Sequence, residues 1–304
     1  MSDWIAKLEQ SHAYAEWAPP NRRWDVAQQE KHLLFLHYAV DYDAVRALVP
    51  PMLEVELFDD SAWVGLMALR VAKLHGRRLP IPRWWHEFPE VDLVTYVSYE
   101  GRRGVYFLSI ESGRRIVSTL VRWSTALPYL YSDLTMVGHP GPIRVTSQRA
   151  SQGGPVAKLD LTYRSTKTPV TIVDGSPLGF MLAQFSSFAI DLWGRVIEMD
   201  EIHSLWDPVE VELEVTTNTL GQALGIDLPL QPTLAHAAAG QHVLTWEPVV
   251  VRPGRPGLAP VSPPRPPPAA APTSSTTAAS SGPGSAGAPG SGPDPAPPAA
   301  RPAP

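Results

Sequence analysis

The sequence predicts an α+β protein, rich in β-strands, in which one large and mostly antiparallel sheet curls toward a barrel with a few flanking helices. Short apolar runs with a period of two residues are separated by Gly, Pro and Asp clusters, the pattern of antiparallel strands. Helical periodicity occurs in a few segments between these runs. A sheet of this many strands tends to curl rather than to stay flat.

The elements of the first half follow from local signals. Residues 1–27 carry spaced tryptophans among polar residues, which predicts a short amphipathic helix and then an irregular arm. The apolar run 32–40 has the length of a strand, and Asp41 provides an N-cap for a helix over 42–48 that two prolines end. Alternation between turn residues predicts the next four strands, at 53–58, 63–73, 91–99 and 104–111.

The second half has the same organisation. Apolar residues three to four positions apart over 114–127 predict a helix, which Pro128 ends. Ser176 is an N-cap followed by proline at the first helical position, so a helix is predicted from there to about Phe188. The remaining predictions are a hairpin turn at 193–195, a short helix at 220–224, and strands at 131–137, 142–149, 156–164, 209–216 and 241–251.

Composition divides the 304-residue chain near Val251. The segment 252–304 holds 17 of the 34 prolines and no aromatic residue. It cannot bury enough apolar surface to offset the entropy lost on ordering, so we predict a disordered tail rich in Pro, Ala, Ser and Gly. The predicted organisation is an N-terminal arm at 1–27, a β-rich domain at 28–251 and this tail.

Composition and missing motifs exclude several function classes. The net charge of −5 does not favour nucleic acid, and the absence of cysteine excludes disulfides and thiolate metal sites. No stretch has the length of a membrane span, and the first residues do not form a signal peptide, so we expect a cytoplasmic protein without a membrane partner. No metal or phosphate-binding motif is present, and no cofactor is predicted. The expected partner is a small molecule, and the sequence leaves open whether the protein forms a homo-oligomer.

Acidic and aromatic side chains alternate with apolar ones over 88–97. Strand geometry places Glu90, Asp92 and Tyr96 on one face. Such a stripe lines a pocket or forms the solvated face of a strand, and alternation alone does not decide between the two.

Three further polar residues interrupt apolar segments. Arg70 lies among apolar neighbours, and Glu90 or Asp92 would supply the partner that a buried arginine needs. His37 shares a face with apolar residues of its strand, and His203 lies near a tryptophan. A purely structural role is the alternative for each residue. It is an ion pair for Arg70, a core histidine with its hydrogen bonds satisfied for His37, and a strand edge or loop surface for His203.

Several short segments, in this order, are typical of one family. They are LFLHY at 34–38, DAVRALVPP at 43–51, AWVG at 62–65, FPE at 88–90, TYV at 95–97, GVYF at 104–107, LPY at 127–129 and EIH at 201–203. Through them the chain resembles, from about residue 24 to 251, the YqjF-like domain-of-unknown-function family, a relative of acetoacetate decarboxylase. The resemblance implies a cone-like β-barrel around a small-molecule cavity, and it implies no known reaction.

The resemblance also bears on the nucleophile. In acetoacetate decarboxylase a lysine forms a Schiff base with a β-keto acid. The position after the helix and its proline, where that lysine is expected, holds Tyr129 in this chain, and Glu90 matches the glutamate of the cavity. The resemblance therefore implies that the acid is kept and the nucleophile is lost.

Two functions remain as alternatives, and the sequence does not decide whether the protein is an enzyme. The first is an acid–base enzyme acting on a carbonyl or carboxylate compound, with Glu90 as general acid or base, Arg70 as anion clamp and Tyr129 as hydrogen-bond donor. The second is a non-catalytic binder of an apolar acid or metabolite. The binding residues predicted for the cavity are His37, Trp63, Asp92, Tyr96, Tyr106 and His203.

Overall fold

One continuous sheet dominates the computed structural model of the protein, which describes residues 3–10, 20–78, 81–125, 127–149, 155–173, 176–182, 184, 186–191, 193–204 and 206–251. Its strands are β1 (Val26–Val40), β2 (Glu54–Val55), β3 (Ala62–Gly76), β4 (Phe88–Tyr99), β5 (Arg102–Ser112), β6 (Tyr129–Tyr131), β7 (Asp133–Val137), β8 (Ile143–Arg149), β9 (Ala157–Pro169), β10 (Ser186–Ile190), β11 (Val196–His203), β12 (Val209–Asn218), β13 (Leu234–Thr245) and β14 (Val249–Val250). The helices are α1 (Asp3–Gln10), α2 (Tyr42–Arg46), α3 (Arg115–Thr125) and α4 (Pro177–Leu182), with 3₁₀ turns at Arg83–Trp85 and Gln222–Leu224.

Seven of these strands close a ring. They are hydrogen-bonded in the order β11-β10-β5-β4-β3-β1-β13, and β13 pairs again with β11. The second part of the sheet, β12-β9-β8-β7, continues from β13. This curled sheet confirms the predicted β-rich, cone-like architecture. It is mixed rather than fully antiparallel, because β10 and β6 each pair with β5 in parallel.

A bulge in β1 decides which of its side chains face the ring interior. The register of β1 against β3 shifts between Lys31 and Leu34, where His32 has a positive φ of 54°. The extra residue reverses the alternation, so Glu30 lies on the same face as Leu33 and Phe35. Polar residues at the start of β1 thereby enter a face that is otherwise apolar.

Both faces of the β1-β3-β4 region are buried. One face packs Leu34, Leu66 and Leu93 against Val145 of β8 and Leu161 of β9. A sheet covered on both sides can hold polar groups away from solvent on its inner side.

The second face packs Phe35, Leu69 and Phe88 against Val117 of α3 and Leu182 of α4. This second face is the inner side of the ring. The two helices that the sequence predicts at these places therefore cover the interior.

Several predicted elements are confirmed. The Asp41 side chain caps α2 by accepting from two backbone N–H groups. The β10–β11 hairpin turns at Gly194, whose φ is 76°. Helix α1 buries Ile5 and Leu8 against Trp24 and its neighbours, as expected for a packing helix.

Other boundaries are wrong. Helix α4 ends at Leu182, and Phe188 lies in strand β10, because the apolar run is divided between a short helix and a buried strand. Strand β1 begins at Val26, inside the predicted arm, and β13 begins at Leu234. The predicted tail lies outside the described residues. None of the helices in the described part of the chain has the length and apolar composition that a membrane crossing requires.

Candidate functional site

Two buried carboxyl groups face the inside of the ring from β4. In the register with β3, Glu90 is opposite Leu69 and Asp92 is opposite Met67, so both share the inner face of the sheet. Glu90 is 6% exposed and Asp92 is 4% exposed. Among the described residues, Oε2 of Glu90 and Oδ1 of Asp92 have no hydrogen-bond partner. Buried acceptors in this state are costly unless a ligand or water reaches them.

A third carboxyl group, that of Glu30, is held by two amides. Gln28 Nε2 donates to Oε1 over 2.8 Å, and Gln241 Nε2 donates to Oε2 over 2.5 Å. Gln241 is directly opposite Glu30 in the β1–β13 pairing, which explains this contact. The other polar atom of that side chain, Gln241 Oε1, is buried and has no partner within the described chain.

The fourth carboxyl group comes from the other side of the ring. Glu201 lies on β11, and its Oε2 accepts from Ser187 Oγ of β10 over 3.4 Å. Met199, two residues before Glu201 on the same face of β11, packs against the apolar cluster of Ile110, which lies opposite Asp92 on β4, three strands away around the ring. Side chains from such distant strands approach one another only across the interior, so the four carboxyl groups surround one internal space.

Three of these side chains keep some accessible surface. Glu30, Glu201 and Tyr129 are half-buried, and burial is the largest cause of the raised pKa of each. Burial thus disfavours the charged form of each group, although none of the three is fully covered by protein.

Tyr129 completes the group. Its backbone follows the corner after α3, where Ile110 N donates to Pro128 O over 3.1 Å, and β6 then pairs with β5 beside Ile110. Ile110 is itself opposite Asp92, so this corner delivers the phenol to the two carboxyl groups of β4. The hydroxyl of Tyr129 hydrogen-bonds the carboxyl of Glu90.

The environment favours the neutral form of each acid. Burial raises the pKa of Glu90 to about 8, the hydrogen bond with Tyr129 opposes this rise, and the charge of Glu30 adds to it. Burial and the charge of Glu30 raise the pKa of Glu201 to about 8. Burial and the neighbouring charges, first that of Glu90, hold the pKa of Asp92 well above its ordinary value.

The pKa of Tyr129 is also raised well above its ordinary value, by burial and by the charges of Glu90 and Asp92. At neutral pH Glu90 and Glu201 are therefore mainly neutral acids beside a neutral phenol. The phenol can donate a hydrogen bond throughout the range in which Glu90 titrates.

A second polar group lies in an aromatic part of the ring. His37 Nδ1 and the Tyr96 hydroxyl are 3.0 Å apart, and the His37 ring stacks on His236 at 5.1 Å between centroids. Burial holds the pKa of His37 well below its ordinary value and lowers that of His236 to about 4, so both imidazoles are neutral. Tyr96 packs with Trp63 and Met181.

The structure thus distributes the predicted site residues over two groups. Glu90, Asp92 and Tyr129 meet at the carboxyl cluster, defined here as Glu30, Glu90, Asp92 and Glu201 with Tyr129. His37, Trp63 and Tyr96 meet at the aromatic part. The His203 ring lies 4.9 Å from that of Trp206, which contacts Phe35 edge-on at 4.7 Å.

Two predicted site residues do not face the ring interior. Arg70 is opposite Pro89 rather than Glu90, so it points to the other side of the sheet, where its Nη2 donates to Met136 O over 2.6 Å. The predicted pairing of Arg70 with Glu90 or Asp92 is therefore wrong, since a shift of one residue reverses the face. Tyr106 is opposite Thr95 and packs with the outer cluster of apolar residues.

Sequence reasoning missed the polar residues of β1 and β13. The predicted domain begins at residue 28, but no site role is predicted for Gln28 and Glu30, which belong to a polar run, or for Gln241, which begins the strand predicted at 241–251. The signal that could have found them is that the polar run continues directly into the apolar strand 32–40. For Glu201 the sequence predicts no role beyond its place in the segment EIH at 201–203.

The lysines of the chain all lie in the described part and leave the cavity without a buried amine. Lys31 is half-buried and opposite Arg70, on the outer side of the sheet. The other four are exposed: Lys7, Lys73, Lys158 and Lys167.

Comparisons with known proteins agree with this architecture. DUF2071, a family described as an uncharacterized conserved protein, matches residues 27–242. The uncharacterized protein YqjF of Bacillus subtilis (strain 168) is 31% identical over 227 residues, which cover 75% of this chain and 93% of that protein.

Solved structures are similar at the level of the fold. An acetoacetate decarboxylase from Legionella pneumophila subsp. pneumophila str. Philadelphia 1 aligns with a TM-score of 0.53 at 14% identity, covering 78% of this chain and 94% of that one. An acetoacetate decarboxylase-like enzyme from Sphingomonas wittichii RW1 aligns with a TM-score of 0.53 at 12% identity, covering 76% and 94%. Identities this low show a common fold and not a common reaction.

Proposed function

Because the chain belongs to the DUF2071 family and has the fold of acetoacetate decarboxylase-like proteins, we propose that it carries out acid–base chemistry on a small carbonyl compound inside the ring, without a Schiff-base lysine. Glu90 is the general base of this proposal, and Tyr129 is the hydrogen-bond donor to the carbonyl oxygen. The chain has five lysines, all in the described part, and none of them is buried. No lysine amine is therefore placed inside the ring to form a Schiff base with the carbonyl compound.

The observation that carries the proposal is the carboxyl group of Glu90. It is buried, has a pKa of about 8, hydrogen-bonds Tyr129 and keeps Oε2 without a partner in the described interior. A general base works best when its pKa lies near the working pH, because it is then partly ionised and still basic. Glu90 meets this condition close to neutral pH.

The proposed step is removal of a proton from the carbon next to a carbonyl group. The carboxylate of Glu90 takes the proton, and the electron pair of the broken C–H bond moves onto the carbonyl oxygen to form an enolate. Once Glu90 carries the proton, its O–H can donate to the phenol oxygen, and the hydroxyl hydrogen of Tyr129 is free to donate to the enolate oxygen. The raised pKa of Tyr129 keeps the phenol protonated, so it stabilises the enolate as a hydrogen-bond donor.

Hydrogen–deuterium exchange of simple ketones tests this step. Acetone, acetophenone and pyruvate are incubated with the protein in D₂O, and loss of the methyl proton signal is followed by NMR. The wild-type protein is expected to exchange at least one of them about 100-fold faster than Glu90→Gln does. The rate is expected to rise with pH through about 8, as Glu90 ionises.

The control is Glu214→Gln, which removes an exposed carboxyl group on β12 and is expected to behave as wild type. If no ketone exchanges faster with the wild-type protein than with Glu90→Gln, the proposal is wrong.

A non-catalytic binder is the second candidate, and the aromatic part of the ring favours it. Trp63, Tyr96 and Met181 form a buried cluster, and Phe180 lies 5.5 Å from Tyr96 between ring centroids. Such a wall can hold an apolar ligand without any proton transfer. Ligand binding that is unchanged in Glu90→Gln, together with no exchange, would support this second function.

A further inference from the structure

We propose that the carboxyl cluster binds a protonated amino group, so that the substrate is a carbonyl compound that also carries an amine. The inference rests on the proposed function, since it names the class of substrate for the same cavity. It replaces the anion clamp that the sequence suggested, because Arg70 lies on the other side of the sheet.

Three buried atoms in or beside the carboxyl cluster have no partner in the described chain, and all three are hydrogen-bond acceptors once Glu90 and Asp92 are ionised. They are Oε2 of Glu90, Oδ1 of Asp92 and Oε1 of Gln241, and each belongs to a side chain that is at most 7% exposed. The Nε2 groups of Gln28 and Gln241 each direct one N–H at Glu30. A ligand that satisfies these atoms must therefore bring donors rather than acceptors.

The buried or half-buried cationic side chains considered next, all in the described part of the chain, do not neutralise the carboxyl cluster. Arg70 and Lys31 lie on the outer side of the sheet. Arg149 pairs with Glu111 over 3.0 Å. Arg102 pairs with Glu198 and with Asp200, over 2.6 Å each, on the opposite faces of their strands from Glu201. The negative charge that appears when the cluster ionises is thus left for a ligand to balance.

An ammonium group fits this requirement better than the alternatives. It brings three N–H donors and a positive charge, whereas a neutral carbonyl compound without an amine brings no donor for the acceptors. In the described residues, no three acidic or imidazole side chains are arranged to hold a metal ion. A ligand carboxylate would be repelled by the same acids that attract the amine.

The amine would also prepare the base. A positive charge beside Glu90 favours its ionised form, so binding releases a proton from the cluster to solvent. Six titratable groups face this proton equilibrium: Glu30 of β1, Glu90 and Asp92 of β4, Glu111 of β5, Tyr129 of β6 and Glu201 of β11. The neighbouring fixed charge is Arg149, the ion-pair partner of Glu111. The substrate would thereby activate the residue that removes its proton.

Three probes of one shape test the inference with the wild-type protein alone. Benzylamine, benzyl alcohol and benzoate differ mainly in the charge of the group beside the ring, and their affinities are measured by calorimetry at pH 7. Benzylamine is expected to bind about tenfold more tightly than benzyl alcohol, the ratio that one charge-assisted hydrogen bond supplies. Benzoate is expected to bind most weakly. Equal or reversed affinities, or no binding of benzylamine, would overturn the inference.

Proton release provides a second readout. The binding enthalpy of benzylamine is measured in two buffers of different ionisation enthalpy. The measured enthalpy is expected to differ between the buffers in the direction that shows net release of protons from the protein to the buffer. Glu201→Gln should lower the preference for benzylamine over benzyl alcohol, while Glu214→Gln should leave it unchanged. Proton uptake, or an unchanged preference in Glu201→Gln, would contradict the assignment.

The two proposals fail in different ways. Ketone exchange that depends on Glu90, without a preference for benzylamine, would reject the amine site alone. A preference for benzylamine with proton release, but without ketone exchange, would reject the acid–base reaction alone.

Discussion

Replacement of Glu90 by glutamine is expected to stabilise the ligand-free protein at neutral pH. The folded state keeps this carboxyl group neutral up to a pKa of about 8, whereas its ordinary value is 4.5. Between these values the unfolded chain is ionised and the folded chain holds a proton. Glutamine has nearly the same shape and is neutral at every pH, so the variant does not pay this cost.

The magnitude follows from the linkage between pKa and stability. Each pH unit between the two pKa values lowers the free energy of unfolding of the wild-type protein by about 1.4 kcal/mol. The stability is fully present below about pH 4.5 and is lost as the pH rises to about 8. At pH 7 the cost is roughly 3 kcal/mol. A weaker hydrogen bond with Tyr129 offsets about 1 kcal/mol of the gain in Glu90→Gln.

The assay is urea denaturation of the wild type and Glu90→Gln from pH 4.5 to 8.5. Near pH 4.5 the variant should be no more stable than the wild type, and at pH 7 it should be about 2 kcal/mol more stable, the two terms above combined. Glu214→Gln should give a difference that does not vary with pH, because its carboxyl is exposed. A loss of several kcal/mol in Glu90→Gln at pH 7 would show that Glu90 is ionised and paired with a buried cation, and would refute this reasoning.

Three further predictions follow from the same structure. Borohydride treatment with acetoacetate should leave the protein mass unchanged, because none of the five lysines, all of them described, is buried in the ring. A stable adduct that is lost when one lysine is replaced would contradict this prediction. Tyr96→Phe should lower the free energy of unfolding by about 1 to 3 kcal/mol, since His37 Nδ1 loses its partner, and unchanged denaturation would disprove that role. Gly104→Ala should destabilise the protein by about 1 to 3 kcal/mol, because its Cβ would lie 2.3 Å from Ser186 O where β5 meets β10; an unaffected melting curve would be inconsistent with this close approach.

Much of the fold could be predicted because local signals and tertiary structure agree. The apolar strand 32–40, the Asp41 cap and the amphipathic helix before Pro128 each form as their sequences indicate. The division of the apolar run around Phe188 could not be read locally, since a buried strand and a buried helix have similar composition. The parallel pairing of β10 with β5 is a contact between distant segments that no local pattern records.

The candidate site was predictable only where alternation is regular. Glu90, Asp92 and Tyr96 share a face because β4 has no shift against β3 over these residues. Glu30 reaches the same interior through the bulge at His32, which the sequence does not announce. Arg70 was misplaced because its position relative to Glu90 depends on the pairing register, and a difference of one residue moves a side chain through the sheet.

Infrared difference spectroscopy measures the protonation state of Glu90, on which the proposed function depends. A neutral carboxyl group has a C=O stretching band that the carboxylate lacks. We expect such a band in the wild-type protein at pH 7, its loss as the pH is raised through about 8, and a weaker band in the matching difference spectrum of Glu90→Gln, to which Glu201 still contributes. A wild-type spectrum at pH 7 that is the same as that of Glu90→Gln in this region would show that Glu90 is not a neutral acid at this pH.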